Sequence, residues 1–390
     1  MISSLVIIHS KQISKAHKVC GFVGIYSASF ESDQSLKNVA FKMSSEIIHR
    51  GPDDHHIWKH ASEPFTMSFR RLSIQDISSN GRQPMESISK RYTISFNGEI
   101  YNHLELRKEF FSDKNNWNGH SDTETILMMF EKFGIKDSLQ HFTGMFAIAV
   151  WDDKKKLITL IRDRFGEKPL YFSVQRKSSK PDIIFGSELK ALKRYPKFNS
   201  EINMQSIYEF LKFSNIGSSN SIYETVSKVK PGEIVSINPY SCKISHDYYW
   251  NLFEEIKNCK ANPLDLNASE AKKIVEKQLF KTISNQMISD VPLGAFLSGG
   301  IDSTGVLGIM SELSNKRVNT FTIGIEGCTD NDLITSRKIA KIFNTSHHEL
   351  LLSPENIIGN IKGAMEMYDE PFADSSQIPT LLVSKLAKKT

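Results

Sequence analysis

Leu293-Gly294-Ala295-Phe296-Leu297-Ser298-Gly299-Gly300-Ile301-Asp302-Ser303 carries the reading that decides the fold. Leu293 to Leu297 is a short apolar run of strand length, Ser298 to Ser303 is a loop, and Thr304 to Leu313 is a helix. Downstream the alternation continues, with a strand at Val318 to Ile323, a helix at Ile334 to Phe343 and a third strand at His348 to Leu352. Strands separated by helices at this spacing make βαβ units and a parallel sheet. Upstream, Asn267 with Glu270 three residues later forms a capping box that opens a long amphipathic helix to about Ile288.

A loop that leaves a strand and opens a helix aims backbone N–H groups and the helix N-terminus at one small volume, which suits an anion. Gly299 and Gly300 let the backbone approach phosphate oxygens with no Cβ in the way, and Asp302 offers a hard oxygen ligand for Mg²⁺. Gly-Gly alone would be a plain turn, with Asp302-Ser303 an ordinary helix start; the full pattern in a strand, loop and helix setting favours the phosphate loop. S-G-G-x-D-S resembles the pyrophosphate loop of the N-type ATP pyrophosphatases, which include the asparagine, GMP, argininosuccinate and NAD synthetases. The resemblance implies ATP as a substrate cleaved between its α and β phosphates. It assigns Ser298, Gly299, Gly300, Asp302 and Ser303 to the pyrophosphate, with Mg²⁺ at Asp302. It also implies that Leu297 and Ile323 flank adenine and ribose, at the strand ends where open parallel sheets bind ligands.

The first half reads differently. Cys20 to Tyr26 is a buried strand, and Leu36, Val39, Ala40, Met43 and Ile47 recur at helical spacing. In the strand-rich region that follows, Tyr92 to Phe96 is predicted to end at an Asn97-Gly98 turn, and Phe146 to Trp151 leads to Leu157 to Arg162. Helices are expected near 103–111 and after Ser121, where Glu124 completes a second capping box. This mixture predicts an α+β layered domain ending near residue 235, with a polar connection over 238–263.

Cys20 alone would be a small core residue. Around it stand His49-Arg50-Gly51-Pro52-Asp53, Arg70-Arg71-Leu72-Ser73-Ile74, Asn97-Gly98-Glu99-Ile100-Tyr101-Asn102, Ser121-Asp122-Thr123-Glu124 and Arg162-Asp163-Arg164-Phe165-Gly166. This order and spacing, over roughly 20–200, resembles a class II glutamine amidotransferase of the N-terminal-nucleophile type. With the phosphate loop, the whole resembles glutamine-hydrolysing asparagine synthetase. The implied fold is an α+β N-terminal-nucleophile layered sandwich (αββα) followed by an α/β parallel-sheet ATP pyrophosphatase domain.

By that resemblance Cys20 is the nucleophile and its own free α-amine, with a pKa of about 8, is the base. Asn97 and Gly98 would stabilise the oxyanion. Arg71 would pair with the glutamine α-carboxylate, Asp122 and Glu99 would receive its ammonium and amide groups, and Leu72 and Ile74 would complete the glutamine site. Each has a plainer alternative: an ion pair for Arg50 and Arg71, a helix start for Asp122. The adjacent pairs His55-His56 and His347-His348 are read as non-ligands, because neighbours on a strand face opposite ways.

The remaining features bound the reading. A composition of 39% hydrophobic and 24% charged residues is that of a globular chain, which excludes wholesale disorder. A net charge of +5 spread over 390 residues, with no basic run interleaved with aromatics, excludes a nucleic-acid surface. Cys20, Cys242, Cys259 and Cys328 form no C-x-x-C pair, so a cytoplasmic protein is expected. Leu5 to Ile8 is too short for a signal core or a membrane span. The expected division is an extra segment at 1–19 (a propeptide or a mis-assigned start), the amidotransferase domain at 20–235, a linker at 236–265 and a partial synthetase domain at 266–390. The synthetase half is expected to be cut short, leaving glutamine hydrolysis with little synthetase activity. Aspartate is the expected acceptor, a sugar acid or an inactive product the alternatives, and the resemblance leaves room for a homodimer.

Overall fold

The computed structural model describes residues 7–9, 20–30, 32–111, 117–175, 181–327 and 331–389. Cys328 and, apart from 7–9, the extra segment expected at 1–19 lie outside the described residues. The described residues form two compact units: 20–260 with 369–373, and 261–368 with 374–389 and the strand at 7–9.

The first unit holds two six-stranded antiparallel sheets. One runs, in spatial order, β11 (Ser227–Lys228), β9 (Tyr171–Gln175), β10 (Asp182–Gly186), β2 (Gly21–Tyr26), β4 (Phe65–Arg71) and β3 (Asp54–Lys59). The other runs β13 (Ile244–Tyr248), β12 (Glu233–Ile237), β8 (Leu157–Arg162), β7 (Gly144–Asp152), β6 (Tyr92–Ile100) and β5 (Met85–Glu86). Strand alternation sorts side chains into layers. Phe22 and Tyr26 of β2 share a core with Ala147, Ala149 and Trp151 of β7, so the two sheets face each other. Val23 and Ile25 instead meet Leu36, Ala40 and Met43 of α1 (Asp33–Ser45), along with α5 (Leu189–Leu192) and α6 (Met204–Phe213). On the far side, Phe146, Ile148 and Val150 pack under α2 (His103–Phe110), α3 (Asp122–Phe133) and α4 (Ile135–His141). The result is the expected αββα sandwich. Each buried aromatic or aliphatic side chain contributes about 1.5–3 kcal/mol.

Three local expectations are corrected. β6 does not turn at Asn97-Gly98 but continues to Ile100, pairing Asn97 with Ala147 and Gly98 with Phe146. Glycine is needed there for close approach: a Cβ at 98 would sit 2.1 Å from the Met145 carbonyl oxygen. Ser121 does cap α3, accepting from Thr123 N–H, but the Glu124 carboxylate accepts from the Asn118 and Gly119 amides (2.9 and 3.1 Å) instead of completing a box. The stretch expected as a connection carries structure, β13 paired to β12 and α7 (Leu252–Ala261).

The second unit is α/β. β14 (Leu293–Phe296), β15 (Asn319–Ile325) and β16 (Ser346–Leu352) pair in parallel, and β1 (Ile7–His9) adds antiparallel to β14 at the edge. Asn267 and Glu270 close a complete capping box on α8 (Ala268–Gln286). Ile283 of α8, Val306 and Met310 of α9 (Ile301–Leu313) and Ala340 of α10 (Asn331–Ile342) cover one face of the sheet. Val383 of α12 (Gln377–Lys389) packs against Phe321 on the other, and α11 (Pro354–Met367) packs on α12. No helix among the described residues is long and apolar enough to cross a membrane.

Candidate active site

Cys20 stands at the head of β2 with its thiol against the next strand over, where Leu72 N–H donates to Sγ at 3.3 Å. Burial pushes the thiol up to about 11, opposed by the Leu72 hydrogen bond and by the charges of Arg71 and Arg50. Arg50 is held twice: its Nε donates to the Cys20 carbonyl at 3.1 Å and its Nη1 to Glu188 at 2.7 Å. Gly51 lets that segment pass close to β4, since a Cβ there would lie 2.3 Å from the Arg70 carbonyl.

Arg71, Leu72 and Ile74 lie on and just after β4, all buried. The Arg71 guanidinium donates to the Ser78 carbonyl at 2.7 Å and to the Asp76 carbonyl. Asp76 in turn accepts from Ser78 and from the His120 amide, which ties the Arg71 loop to the segment entering α3.

Asp122 opens α3 and accepts from the Ile100 amide at 2.9 Å. Burial raises its carboxyl to about 7, with the Glu99 charge adding to the rise. Glu99 is likewise raised to about 7 by burial, opposed by the Lys168 ammonium. Asn97 and Glu99 alternate on one face of β6, opposite to the face of Phe96 and Ile100 in the helix-covered core. Asn97 has no exposed surface, and neither its Oδ1 nor its Nδ2 has a protein partner. A buried amide left open in this way costs about 1–3 kcal/mol unless a ligand completes it.

The structure thus brings Cys20 within electrostatic reach of Arg71 and Asp122, and Asp122 within reach of Glu99. Sequence reasoning missed the residues that hold them. Asp76 and Ser78 fix Arg71, a turn signature legible in Asp76-Ile77-Ser78. Lys168 and Glu188, far along the chain, left no local signal. The Arg162 to Gly166 motif spends itself on backbone: Asp163 accepts from the amides of Phe146, Phe165, Glu167 and Lys168. His55 lies 2.9 Å from the Ser68 hydroxyl and His347 2.9 Å from that of Thr320, each within its sheet.

In the second unit, Ser298 to Ser303 leaves β14 and opens α9. Ser298 and Ser303 hydroxyls lie 3.1 Å apart, and the Thr304 hydroxyl caps the Gly300 carbonyl at 2.7 Å. Gly299 has φ +79°, where a Cβ is strained and would meet Thr335 at 3.1 Å. Ser298, Gly300 and Asp302 are exposed, Gly299 and Ser303 half-buried, and no side chain caps α9, so the helix N-terminus is open to an anion. Leu297 is buried on the α9 side, and Ile323 lies on the neighbouring strand toward its C-terminal end.

Comparison with known proteins finds two family matches along the chain. Residues 19–250 match the family described as glutamine amidotransferase domain, and residues 275–390 match asparagine synthase. A protein of Methanocaldococcus jannaschii that carries the name asparagine synthetase (glutamine-hydrolysing) 2 is 33% identical over 95% of this chain and 72% of its own. Asparagine synthetase 1 of Bacillus subtilis is 30% identical over 95% of this chain and 56% of its own. Asparagine synthetase B of Escherichia coli is 28% identical over 95% and 61%.

Proposed function

The chain belongs to the glutamine-hydrolysing asparagine synthetase family, and on that premise we propose that it releases ammonia from glutamine at Cys20 and uses ATP at the 298–303 loop to activate a carboxylate, aspartate, for amidation. The observation that carries the reading is that the charges of Arg71 and Asp122 both act on the Cys20 thiol, the first favouring the thiolate and the second opposing it. One cation and one carboxylate within electrostatic reach of a nucleophile match the carboxylate and ammonium of an amino-acid substrate.

Burial holds the Cys20 thiol far above neutral pH, so a local base is required. The α-amine of a chain that begins at Cys20 supplies it. The thiolate attacks the glutamine amide carbon, and Asn97 Nδ2 and the Gly98 N–H take the oxyanion. The carbon–nitrogen bond then breaks, the amine's proton leaves with ammonia, and water hydrolyses the thioester to glutamate.

Mg²⁺ fits the second site. Asp302 is an exposed carboxylate in the first turn of α9, and the ion would rest on it and on the phosphates themselves. It would neutralise charge on the departing pyrophosphate. The serine hydroxyls, the glycine backbone and the α9 N-terminus orient the phosphates while the aspartate β-carboxylate attacks the α-phosphorus. Ammonia then displaces AMP from the acyl-adenylate.

The test is glutamate release from glutamine by protein whose intact mass begins at Cys20, beside Cys20→Ala, and carboxylate-dependent pyrophosphate release from ATP across aspartate and sugar acids. Glutaminase activity that disappears in Cys20→Ala is the expected result, and aspartate is expected to drive more of whatever pyrophosphate is released than any sugar acid does. Glutaminase activity retained by Cys20→Ala would sink the first half, and a sugar acid preferred over aspartate would overturn the second.

A further inference from the structure

We propose that Asp369 is a positioning residue for the nucleophile, acting on Cys20 through Lys190, Glu188 and Arg50; this rests on the glutaminase reading of Cys20. Residues 369–373 pack in the first unit, although the residues before and after them belong to the second. The segment is held by specific contacts. Glu370 accepts from the Ile222 amide at 2.8 Å and pairs with Lys228 at 2.7 Å, and the Ala373 amide donates to the Ser214 carbonyl at 2.9 Å. Asp369 accepts from the Leu189 amide with one oxygen and faces Lys190 Nζ at 3.3 Å with the other. The two neighbouring carboxylates are only 8% and 11% exposed, a costly arrangement unless their charges are used.

From Asp369 the ion pairs run inward. Lys190 Nζ lies 3.3 Å from Glu188 Oε2, and Glu188 Oε1 lies 2.7 Å from Arg50 Nη1 and 3.0 Å from His49 Nε2. Arg50 Nε reaches the Cys20 carbonyl. Within this line two cations alternate with two carboxylates, and Arg50 and Lys190 hold Glu188 low against the upward pull of burial. Lys190 is shared between two acids. It anchors Glu188 at Oε2, which keeps Oε1 on Arg50; when Asp369 loses its charge Lys190 shifts and the Glu188 carboxylate turns, and when Lys190 is removed the same anchor is lost, so in both cases the hold on Arg50 loosens. The Arg50 bond to the Cys20 carbonyl sets the rotation of the residue that carries the thiol and, in a chain starting there, the amine. Misplacement of a reacting group by an ångström can cost about a hundredfold in rate. Arg71 and Asp122 stand outside the line, so glutamine binding is untouched.

The test is glutaminase kcat and KM, with the rate of Cys20 alkylation by iodoacetamide, in Asp369→Asn, Asp369→Glu, Lys190→Met and the double variant Asp369→Asn/Lys190→Met. Asparagine keeps an acceptor for the Leu189 amide, so Asp369→Asn removes charge alone; Lys190→Met breaks the same line should Asp369→Asn fail to fold. At least a threefold loss of kcat is expected in each of these two, with KM within twofold and kcat recovered in Asp369→Glu. Groups acting in series give a double variant no worse than the poorer single. Alkylation slows at least threefold, because the Arg50 charge favours the thiolate. Wild-type kcat in Asp369→Asn, or losses that multiply in the double variant, would overturn the proposal. Wild-type protein that is alkylated yet releases no glutamate would refute the glutaminase reading, and the alkylation rates would then decide this one.

Discussion

Asn97 and Asp122 owe their chemistry to burial. Asn97 holds two unpartnered polar atoms inside the sandwich, an expense that a developing oxyanion can redeem. Asn97→Ala is expected to lower glutaminase kcat by about 10²–10³ with little change in KM, the usual cost of one oxyanion donor. Steady-state kinetics on the variant check this, and a rise in KM alone would assign Asn97 to ground-state binding. Asp122, raised to about 7, is mostly protonated at pH 6 and cannot pair with an ammonium there. The KM for glutamine should therefore fall as pH rises from 6 to 8, and Asp122→Asn should show a high KM without that dependence. The sign for stability is opposite. Folded Asp122 binds its proton more tightly than the unfolded chain does, so its contribution is complete below pH about 4 and is lost as pH rises through 7.

β6 shows how one element serves fold and site together. Its odd and even positions divide between the helix-covered core, through Phe96 and Ile100, and the opposite face, through Asn97 and Glu99. Gly98 allows β7 to approach at the point where this switch matters. In Gly98→Ala the new methyl would meet the Met145 oxygen at 2.1 Å and Phe146 Cα at 2.7 Å, so backbone must move. Overpacking of this kind costs about 1–3 kcal/mol, to be read by urea denaturation, with glutaminase activity falling alongside. A variant as stable and active as wild type would mean the β6–β7 ladder yields easily. α9 achieves the corresponding arrangement with fewer parts, since Gly299 at φ +79° and an uncapped helix start leave the loop open.

At the scale of the molecule, each unit closes its own core: an αββα sandwich in one, a parallel sheet covered on both faces in the other. Units with separate cores unfold separately unless joined by a large apolar interface. Calorimetry is expected to show two transitions, one raised by ATP with Mg²⁺ and the other by a glutamine analogue. At a hundred times its Kd, each ligand adds about 2.7 kcal/mol to the unit it binds. One transition raised equally by both ligands would show that the units unfold as one.

The sequence by itself determined the two fold classes, because period-two and period-3.6 patterns and a strand–loop–helix glycine motif are local signals. It also marked the residues of both candidate sites: Cys20, Arg71, Asn97, Asp122 and the 298–303 loop each stand in a short recognisable pattern. Tertiary structure decided what local pattern could not. The Asn97-Gly98 dipeptide has the chemistry of a turn, yet pairing with β7 keeps it extended. Glu124 has the spacing of a capping box, yet the folded loop offers it better donors at Asn118 and Gly119. Glu188 and Lys190 carry no motif, and nothing local to Asp369 says what it will touch. Their charges acquire meaning only where the folded chain places them in contact inside a low-dielectric interior.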